Sequence, residues 1–249
     1  MTEYNLDKLA LYKILKDKGI THLFHANTVS TSVTFLESKN LLSRQYIEEN
    51  KLHQTPQYSD KADKDFGIFD DIFLDFIDIH KEWNRYNKYG PFLFVFSIEI
   101  LKSDQIKTLR ITKKNPVNWK YSEPEEEWYY SDLKEFEDNY KKGNRLKDIG
   151  SMLILKDIDG KLSLRPHLDK MILDNPNLFV NYKNEKKYLA NLIGSKLRDI
   201  VEENDFTDIE RGLRHKHKLW KCTCWLNYNS MLLYDIKKLK LLYHLNPNK

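Results

Sequence analysis

The spacing of apolar residues along the 249-residue chain predicts both helices and strands. Apolar side chains three to four positions apart predict helices over residues 5–18, 131–142 and 184–203, and over the closing stretch "SMLLYDIKKLKLLYHL" (230–245). The segment "YGPFLFVFSIEIL" (89–101) is almost wholly apolar, so we expect it to form an interior strand of a sheet.

Shorter patterns complete the predicted organisation. Strands are expected at "ITHLFHA" (20–26), "QIKTLRIT" (105–112), "HLDKMILDNPN" (167–177) and "KLWKCTCWL" (218–226), and a hairpin around "DIDG" at 151–164. A short helix should end at Asn40, and residues 45–65 are polar and predict a long ordered loop. These elements predict an α+β fold with a central mixed or antiparallel sheet flanked by helices. We expect one domain over 1–249, with the basic C-terminal part 205–249 packed on it.

Composition limits the cellular setting. Apolar residues make up 41% of the chain, and the mean hydropathy is −0.67. No apolar run approaches the roughly 18 residues that cross a bilayer, and the N-terminus lacks the features of a signal peptide. Two cysteines give no disulfide framework. The sequence therefore predicts a cytoplasmic protein without a membrane partner.

Charge is spread unevenly, although the net charge is only +4. Residues 205–249 carry nine Lys and Arg against four acids, and "RGLRHKHKLWK" (211–221) contains no acid. Such a field can attract a polyanion. We predict that one exposed patch contacts nucleic-acid phosphates through Arg211, Arg214, Lys216 and Lys218. The alternative is a solvated surface without a partner.

The segment "HLFHANTVSTSVTFLESKNLLSR" (22–44) joins a strand that carries His25, a turn with Asn27, a short helix and the end "NLLSR". This segment resembles the entry of the ADP-ribosyltransferase fold, and more narrowly that of the DarT-like, DNA-directed members. The resemblance covers about 30 residues and extends loosely to the strand at 92–101. It implies an enzyme that uses NAD and modifies DNA, with a toxin or antiphage defence role.

The chemistry of NAD cleavage gives these residues plausible tasks. His25 and Asn27 can contact the carboxamide and ribose hydroxyls, and Arg44 can pair with the pyrophosphate. A carboxylate must stabilise the positive charge on the ribose as nicotinamide leaves. Transferases of this kind present a glutamate at the start of a late strand, but the matching stretch "RLKDIGSMLIL" (145–155) contains only Asp148. Either Asp148 substitutes, or the acid comes from elsewhere, or NAD is not used.

The acids at 54–80 supply another candidate set. In an extended strand Asp71 and Asp75 share one face, while Asp78 and His80 share the other. Acids among apolar residues need partners or line a cleft, where a raised pKa and a nearby imidazole suit the activation of water. This set favours a second hypothesis, a cofactor-independent DNA glycosylase. A flipped base, or one in a single strand, could then be recognised by residues of the preceding loop, Gln54, Gln57 and Tyr58.

Two further possibilities remain from the sequence. His215, His217, Cys222 and Cys224 invite a zinc site, but their spacing is unlike common structural sites, so no metal is expected. A non-enzymatic nucleic-acid-binding module would explain the basic tail but not the acidic segment. The leading prediction is a DarT-like ADP-ribosyltransferase acting on DNA.

Overall fold

The computed structural model of the chain describes residues 4–83, 85–142, 146–214 and 224–245. Its strands are β1 (His22–Asn27), β2 (Asn40–Leu42), β3 (Ile72–Asp75), β4 (Phe92–Ser97), β5 (Thr108–Ile111), β6 (Met152–Lys156), β7 (Lys161–Ser163), β8 (Leu168–Asp174), β9 (Phe179–Tyr182), β10 (Glu185–Tyr188) and β11 (Glu210–Arg214). Its α-helices are α1 (Lys8–Asp17), α2 (Val29–Ser38), α3 (Arg44–Glu49), α4 (Asp60–Asp65), α5 (Ile79–Trp83), α6 (Leu133–Asn139), α7 (Leu189–Glu203), α8 (Cys224–Tyr234) and α9 (Ile236–Tyr243).

Seven strands form the central sheet, in the order β11-β8-β4-β1-β3-β6-β5. β11 runs parallel to β8, and the other neighbouring pairs are antiparallel, so the sheet is mixed. The residues of β4 from Phe92 to Phe96 are all buried, because the sheet is covered on both faces at this point. The predicted α+β fold with a central mixed sheet is confirmed, as is the interior strand at 92–97.

One hydrophobic core cluster contains side chains from both ends of the described chain. Leu11 and Leu15 of α1 belong to it, as do Leu239 and Tyr243 of α9. Each fully buried side chain of this size contributes about 1.5–3 kcal/mol relative to an exposed one. The N-terminal and C-terminal helices therefore pack on the same sheet. The expectation of one domain over the whole of 1–249 stays a prediction.

The unit from β1 to β2 turns tightly because side chains complete the ends of α2. Thr28 is the N-cap of α2, in extended conformation, and its hydroxyl accepts a hydrogen bond from the backbone N–H of Thr31 at 3.4 Å. The helix ends at Lys39, which adopts the left-handed conformation with φ of 58°. The predicted end at Asn40 is therefore one residue late. This turn fixes Thr28 directly beside Asn27, the last residue of β1.

Two predicted elements are wrong for reasons that lie beyond local pattern. Residues 45–65 contain helical turns in α3 and α4 rather than a long loop, since Ser43 caps α3 by accepting from the N–H of Tyr46 at 3.0 Å. The stretch 151–164 does not form a hairpin. β6 pairs with β3 and β5, whereas β7 pairs with β2. Periodicity identified these strands but not their partners.

The C-terminal part also departs from its pattern. The helix predicted over 184–203 begins only at Leu189, because a small hairpin of β9 and β10 precedes it. Of the strand predicted at 218–226, the first six residues lie outside the described part, and Cys224 and Leu226 belong to α8. The closing helix is divided at Asp235, which caps α9. No helix in the described ranges combines the length and the apolar character needed to cross a membrane.

Candidate active site

A narrow cleft opens between β1 and β3 because the two strands separate. They are in register at one pair, Phe24 opposite Asp75, whereas β1 and β4 are paired along the whole of β1. Where the β1–β3 ladder has stopped, the Nδ1 atom of His25 lies 2.8 Å from the carbonyl oxygen of Phe73. The cleft has a volume of about 70 Å³, which is room for a few water molecules. Its walls come from β1, β3 and the start of β6, from one residue each of α2, β2, α3 and α4, and from loops.

A chain of hydrogen bonds orients the polar groups of β1. Nδ1 of His25 donates to Phe73, so Nε2 is left as an acceptor, and it receives the amide of Asn27 at 3.4 Å. The amide oxygen of Asn27 accepts from the N–H of Thr28 at 2.9 Å and from the side-chain amide of Gln57 at 3.3 Å. Burial lowers the pKa of His25, and the nearby charge of Arg44 lowers it further. The imidazole is therefore neutral, and the lone pair of its Nε2 faces the amide of Asn27.

Arg44 lies at the first position of α3 and lines the same cleft. Its terminal nitrogens each donate to the carbonyl of Thr55 at 3.1 Å, and one also pairs with Asp60 at 2.7 Å. The buried Nε atom has no hydrogen-bond partner in the part of the chain that the structure describes. A buried donor left in this state is costly unless a ligand completes it. Arg44 is thus held in place with one donor available.

Asp75 is the last residue of β3 and the acid of the cleft that lacks a partner. Its side chain is buried, and no described residue forms an ion pair or hydrogen bond with its carboxylate. Burial, with a further contribution from the charge of Asp78, raises the pKa of Asp75 to about 7. An unpaired buried carboxylate costs several kcal/mol. Such a group is typical of a site where the charge is used.

Two other acids line the cleft in different states. Asp71 pairs with Lys156 at 2.7 Å, although burial raises its pKa on balance. Burial raises the pKa of Asp63 to about 6, against a hydrogen bond from Ser59 that lowers it. Asp71, just before β3, and Asp75, its last residue, therefore both line the cleft, as does Ile72 between them.

Tyr89 and Asn115 form a further wall of the cleft, and Gly90 brings the loop of Tyr89 against the end of β1. A Cβ atom on Gly90 would lie 2.0 Å from the carbonyl oxygen of Asn27, so only glycine allows this loop to approach the end of β1. The amide of Asn115 lies 3.4 Å from the hydroxyl of Tyr89. Burial raises the pKa of Tyr89, so its phenol stays protonated near neutral pH. The wall thus offers a hydroxyl and an amide.

Asp78 and His80 lie outside this cleft, which corrects their predicted place in it. They belong to a buried cluster, here called the Asp174 cluster, with Asp174, Arg214 and Tyr228. His80 Nδ1 lies 2.7 Å from Asp174, Arg214 contacts Asp174 and Asp78 at 2.8 Å each, and the hydroxyl of Tyr228 donates to Asp174 at 3.1 Å. The strand ends at Asp75, so the alternation that predicted their orientation does not reach them. Their contacts join β8, β11 and α8.

Three other residues that the sequence predicted for the site, Asp148, Gln54 and Tyr58, do not line the cleft. Asp148 is buried beside the N–H of Lys141 and does not line the cleft, and the start of β6 presents Met152 there instead. Gln54 donates to the backbone carbonyl of Arg44 and does not line the cleft either. Tyr58 does not line the cleft; it is 60% exposed, and its ring is stacked on that of Tyr89, which does. Only Gln57 of the predicted base-reading set contacts the polar chain of β1.

One member of the predicted basic patch, Arg214, is not exposed, and the patch as a whole stays a prediction. Arg214 is largely buried in its ion pairs with Asp78 and Asp174, so it is not available to a phosphate. Arg211 is exposed on the edge strand β11. Lys216 and Lys218 lie outside the described residues, as do His215, His217 and Cys222. Among the residues that are described, no group of three or more His, Cys, Asp or Glu could hold a metal ion.

Sequence reasoning missed Tyr89, Asn115 and Asp174. Tyr89 and Asn115 occur in "YGP" and "NP", where glycine and proline signal a turn but not its neighbours. Asp174 ends an apolar strand just before "NP". An acid that follows buried residues in this way signals a buried carboxylate that needs partners.

No protein-family model and no curated protein matches the chain. Among solved structures, it is similar to DarT of Thermus sp. 2.9. The complex with NAD+ has a TM-score of 0.44 and 10% identity, and covers 78% of this chain and 96% of that one. The complex with ADP-ribosylated ssDNA has a TM-score of 0.48 and 8% identity, over 81% and 97%. The complex with carba-NAD+ has a TM-score of 0.44 and 10% identity, over 81% and 98%. This is the family that the opening segment resembles, but at these scores the likeness assigns no function.

Proposed function

We propose that the chain is an enzyme that breaks an N-glycosidic bond in this cleft, as a DarT-like ADP-ribosyltransferase that uses NAD and modifies DNA. The observation that carries the proposal is the buried, unpaired carboxylate of Asp75 in the same cleft as His25, Asn27 and Arg44. A binding module has no use for an unpaired acid with a pKa of about 7. An enzyme that stabilises a cationic sugar uses such an acid to balance the positive charge.

Each cleft residue has a task on this proposal. Nε2 of His25 and the amide of Asn27 exchange their long contact with each other for contacts to the carboxamide and ribose hydroxyls of NAD, and Gln57 keeps the amide of Asn27 oriented. Arg44 holds the pyrophosphate with its free Nε, while Asp60 and Thr55 keep its side chain extended. A charge-assisted contact of this kind is among the stronger hydrogen bonds. The cleft, at about 70 Å³, has to widen to admit the nicotinamide ribose, and NAD is then bound with its scissile bond toward Asp75.

The proposed reaction is a transfer of ADP-ribose. The bond between C1′ of the ribose and the nicotinamide nitrogen breaks, and nicotinamide leaves with the bonding electron pair. A nucleophilic atom of the DNA base forms a new bond to C1′ and gives up its proton to the carboxylate of Asp75. The same carboxylate stabilises the positive charge on the ribose, and the removal of one such interaction typically costs about 10²–10³ in kcat. Modified DNA would suit a toxin or an antiphage defence protein.

A second candidate, a cofactor-independent DNA glycosylase, is favoured by the position of Asp148. The expected late-strand acid is absent from the cleft, and Asp75 with a pKa of about 7 is suited to activate a water molecule at neutral pH. In that case water, not a DNA base, attacks the sugar.

The test is incubation of the purified protein with a defined DNA oligonucleotide, with and without NAD, followed by mass spectrometry. DNA that gains the mass of ADP-ribose only with NAD identifies the transferase. Abasic sites without NAD identify the glycosylase. Asp75→Asn should abolish either product, whereas Asp17→Asn, an exposed acid of α1, should leave it unchanged. Oligonucleotide binding without any product would leave only a binding module.

A further inference from the structure

A groove separate from the candidate active site lies between the strand β11 and the helix α7. It has a volume of about 640 Å³, and its lining comes from these two elements and from β8 and β4. None of the described residues that line it also lines the cleft. A ligand of this groove is therefore recognised independently of the proposed function.

β11 is an outer strand of the central sheet. It pairs with β8 on one side, and no described strand pairs with its other side. Glu210, Arg211 and Leu213 of this strand are exposed. The backbone N–H and C=O groups along such an edge can pair with one more strand, supplied by another chain. β11 is therefore able to receive an extended peptide.

The apolar floor of the groove continues across the sheet to this edge. Leu213, Leu173 and Phe92 lie opposite one another on β11, β8 and β4, so their side chains share one face. A strand added beside β11 would place its own side chain next in this row, against Leu213. On the helix side, a Cβ atom on Gly194 would meet no described atom within 4 Å outside its own stretch of helix. The space above the row is thus available to an apolar side chain.

The charge of this groove is of one sign. Arg198 of α7 and Arg211 of β11 line it, both are exposed, and neither forms an ion pair within the described ranges. Glu210, the acid of β11, is paired with Lys170. None of the described lining residues is acidic. Two cations on opposite walls without an anion between them favour an acidic occupant.

The lining favours a peptide over a nucleic acid. Phe92 is the one aromatic residue among the described lining residues, and it is only 3% exposed, so its ring offers no face on which a base could stack. A peptide strand uses every feature of the groove, because its backbone can pair with β11, an apolar side chain can cover the floor, and a carboxylate can reach the arginines.

We propose that this groove binds an acidic segment of a partner protein as an additional strand beside β11. Side chains that share one face of a strand are two positions apart. Arg211 and Leu213 are themselves two positions apart on the groove face of β11, so the bound strand should carry an acid beside the first and a large apolar residue beside the second. The expected motif is therefore an acid and a large apolar residue separated by one position.

The full chain, without NAD, is first panned against a phage-displayed library of random decapeptides. The enriched sequences should share the acid and the apolar residue at this spacing, and recovery of no common sequence, or of a basic one, would overturn the proposal. The best peptide is then synthesised with a fluorophore, and fluorescence anisotropy gives its Kd for the protein and its variants.

Gly194 gives a test that does not change charge. Gly194→Leu places a side chain in the groove and should weaken peptide binding about tenfold or more, the cost of forcing extra methylene groups into a filled space. Gly194→Ala is the matched control, since it also replaces a helical glycine, favours the helix and adds a single methyl group. It should bind the peptide as the wild type does. Equal binding by the two variants would place the peptide elsewhere and overturn the proposal.

The arginines are tested by the double variant Arg198→Gln/Arg211→Gln. It should bind the peptide about tenfold or more weakly, the effect of one lost hydrogen bond to a charged group. Lys13→Gln/Lys107→Gln removes the same charge from exposed positions outside the groove and should bind normally. Equal losses in both double variants would overturn the proposal in favour of a diffuse charge effect. A single-stranded oligonucleotide should not displace the peptide, and displacement would assign the arginines to phosphates instead.

Strand pairing is tested on the peptide itself. The N–H groups of successive residues in a strand point to opposite edges, so only every second one can face β11. Two versions of the peptide, each methylated on one alternate set of backbone nitrogens, have the same side chains. One version should lose binding and the other should keep it. If both versions bind as the unmethylated peptide does, the backbone does not pair with β11 and the proposal is wrong.

Discussion

Asp75 and Asp78 are three residues apart and equally buried, but they differ in whether their carboxylates are paired. Asp78 belongs to the Asp174 cluster, where Arg214 bridges two carboxylates and His80 and Tyr228 add further contacts. Asp75 faces a cleft in which no described residue pairs with it. The raised pKa of Arg214 shows that the charges of the Asp174 cluster compensate each other. Burial opposes its charge, but the two carboxylates outweigh burial and raise its pKa.

This difference shows that the effect of mutating a buried charge depends on whether the charge has a partner. Removing one partner from a saturated cluster leaves an uncompensated ion, so the fold depends on every member. An unpaired ion already carries its cost, so removing it relieves the fold and harms only what the ion does. The Asp174 cluster should therefore respond to mutation in stability, and the cleft in activity.

The largest expected effect is on the Asp174 cluster. Arg214→Met keeps the apolar stem but leaves Asp78 and Asp174 facing each other without a cation. We expect the free energy of unfolding to fall by about 3–5 kcal/mol, as for other broken buried pairs. Urea denaturation measures the loss. Arg211→Met on the same strand is the matched control, and because its side chain is exposed it should change stability by no more than about 0.5 kcal/mol. Similar results for both arginines would break the comparison.

The contrast between these two sites was only partly visible in the sequence. The segment "FDDIFLDFIDIH" indicated acids that need partners or line a cleft, and Asp71 and Asp75 both line the cleft. The alternation was the basis for grouping them. It failed for Asp78 and His80, because the strand ends at Asp75 and a helical turn begins at Ile79. Local pattern cannot show where a strand ends when apolar residues continue past it.

The sequence also could not show which distant residues pair with each other. Asp174 and Arg214 are 40 positions apart and Arg214 and Asp78 are 136 apart, and only the strand order brings them together. Without that order, Arg214 was indistinguishable from the exposed basic residues around it. The central sheet itself was predictable, because strand β4 is apolar over its whole length and needs no partner to be recognised.

The second prediction concerns how stability depends on pH. The pKa of Asp75 is about 7 in the folded chain against 3.8 for a free aspartate, so the native state binds more protons than the unfolded state between these values. Stability must then fall as pH rises through this window. The variant Asp75→Asn lacks this proton, so the stability of the wild type relative to the variant should decrease between pH 4 and pH 8, by up to about 4 kcal/mol.

Thermal or urea unfolding of both proteins across that range measures the difference. Asp17→Asn at an exposed position should show no comparable change. A stability difference that stays constant with pH would mean that Asp75 is paired in solution and that the cleft resembles the Asp174 cluster. If the proposed reaction needs the ionised carboxylate, kcat should rise over the same range and reach half its maximum near pH 7.

The smallest expected effect is on the chain of hydrogen bonds that orients the polar groups of β1. Gln57 donates to Asn27 at 3.3 Å, and Asn27 in turn reaches His25 at 3.4 Å. Unlike the contacts of the Asp174 cluster, these are long and lie at the edge of the cleft, so losing one should cost about 1 kcal/mol. Gln57→Ala should lower kcat/KM for NAD about fivefold through KM, with little change in the free energy of unfolding. Gln45→Ala is the control, because among the described residues the side chain of that glutamine hydrogen-bonds only Glu49, at 2.8 Å and in an exposed position. If Gln57→Ala instead lowers stability by several kcal/mol with KM unchanged, this chain of hydrogen bonds supports the fold and the distinction between the two sites is weaker than the structure indicates.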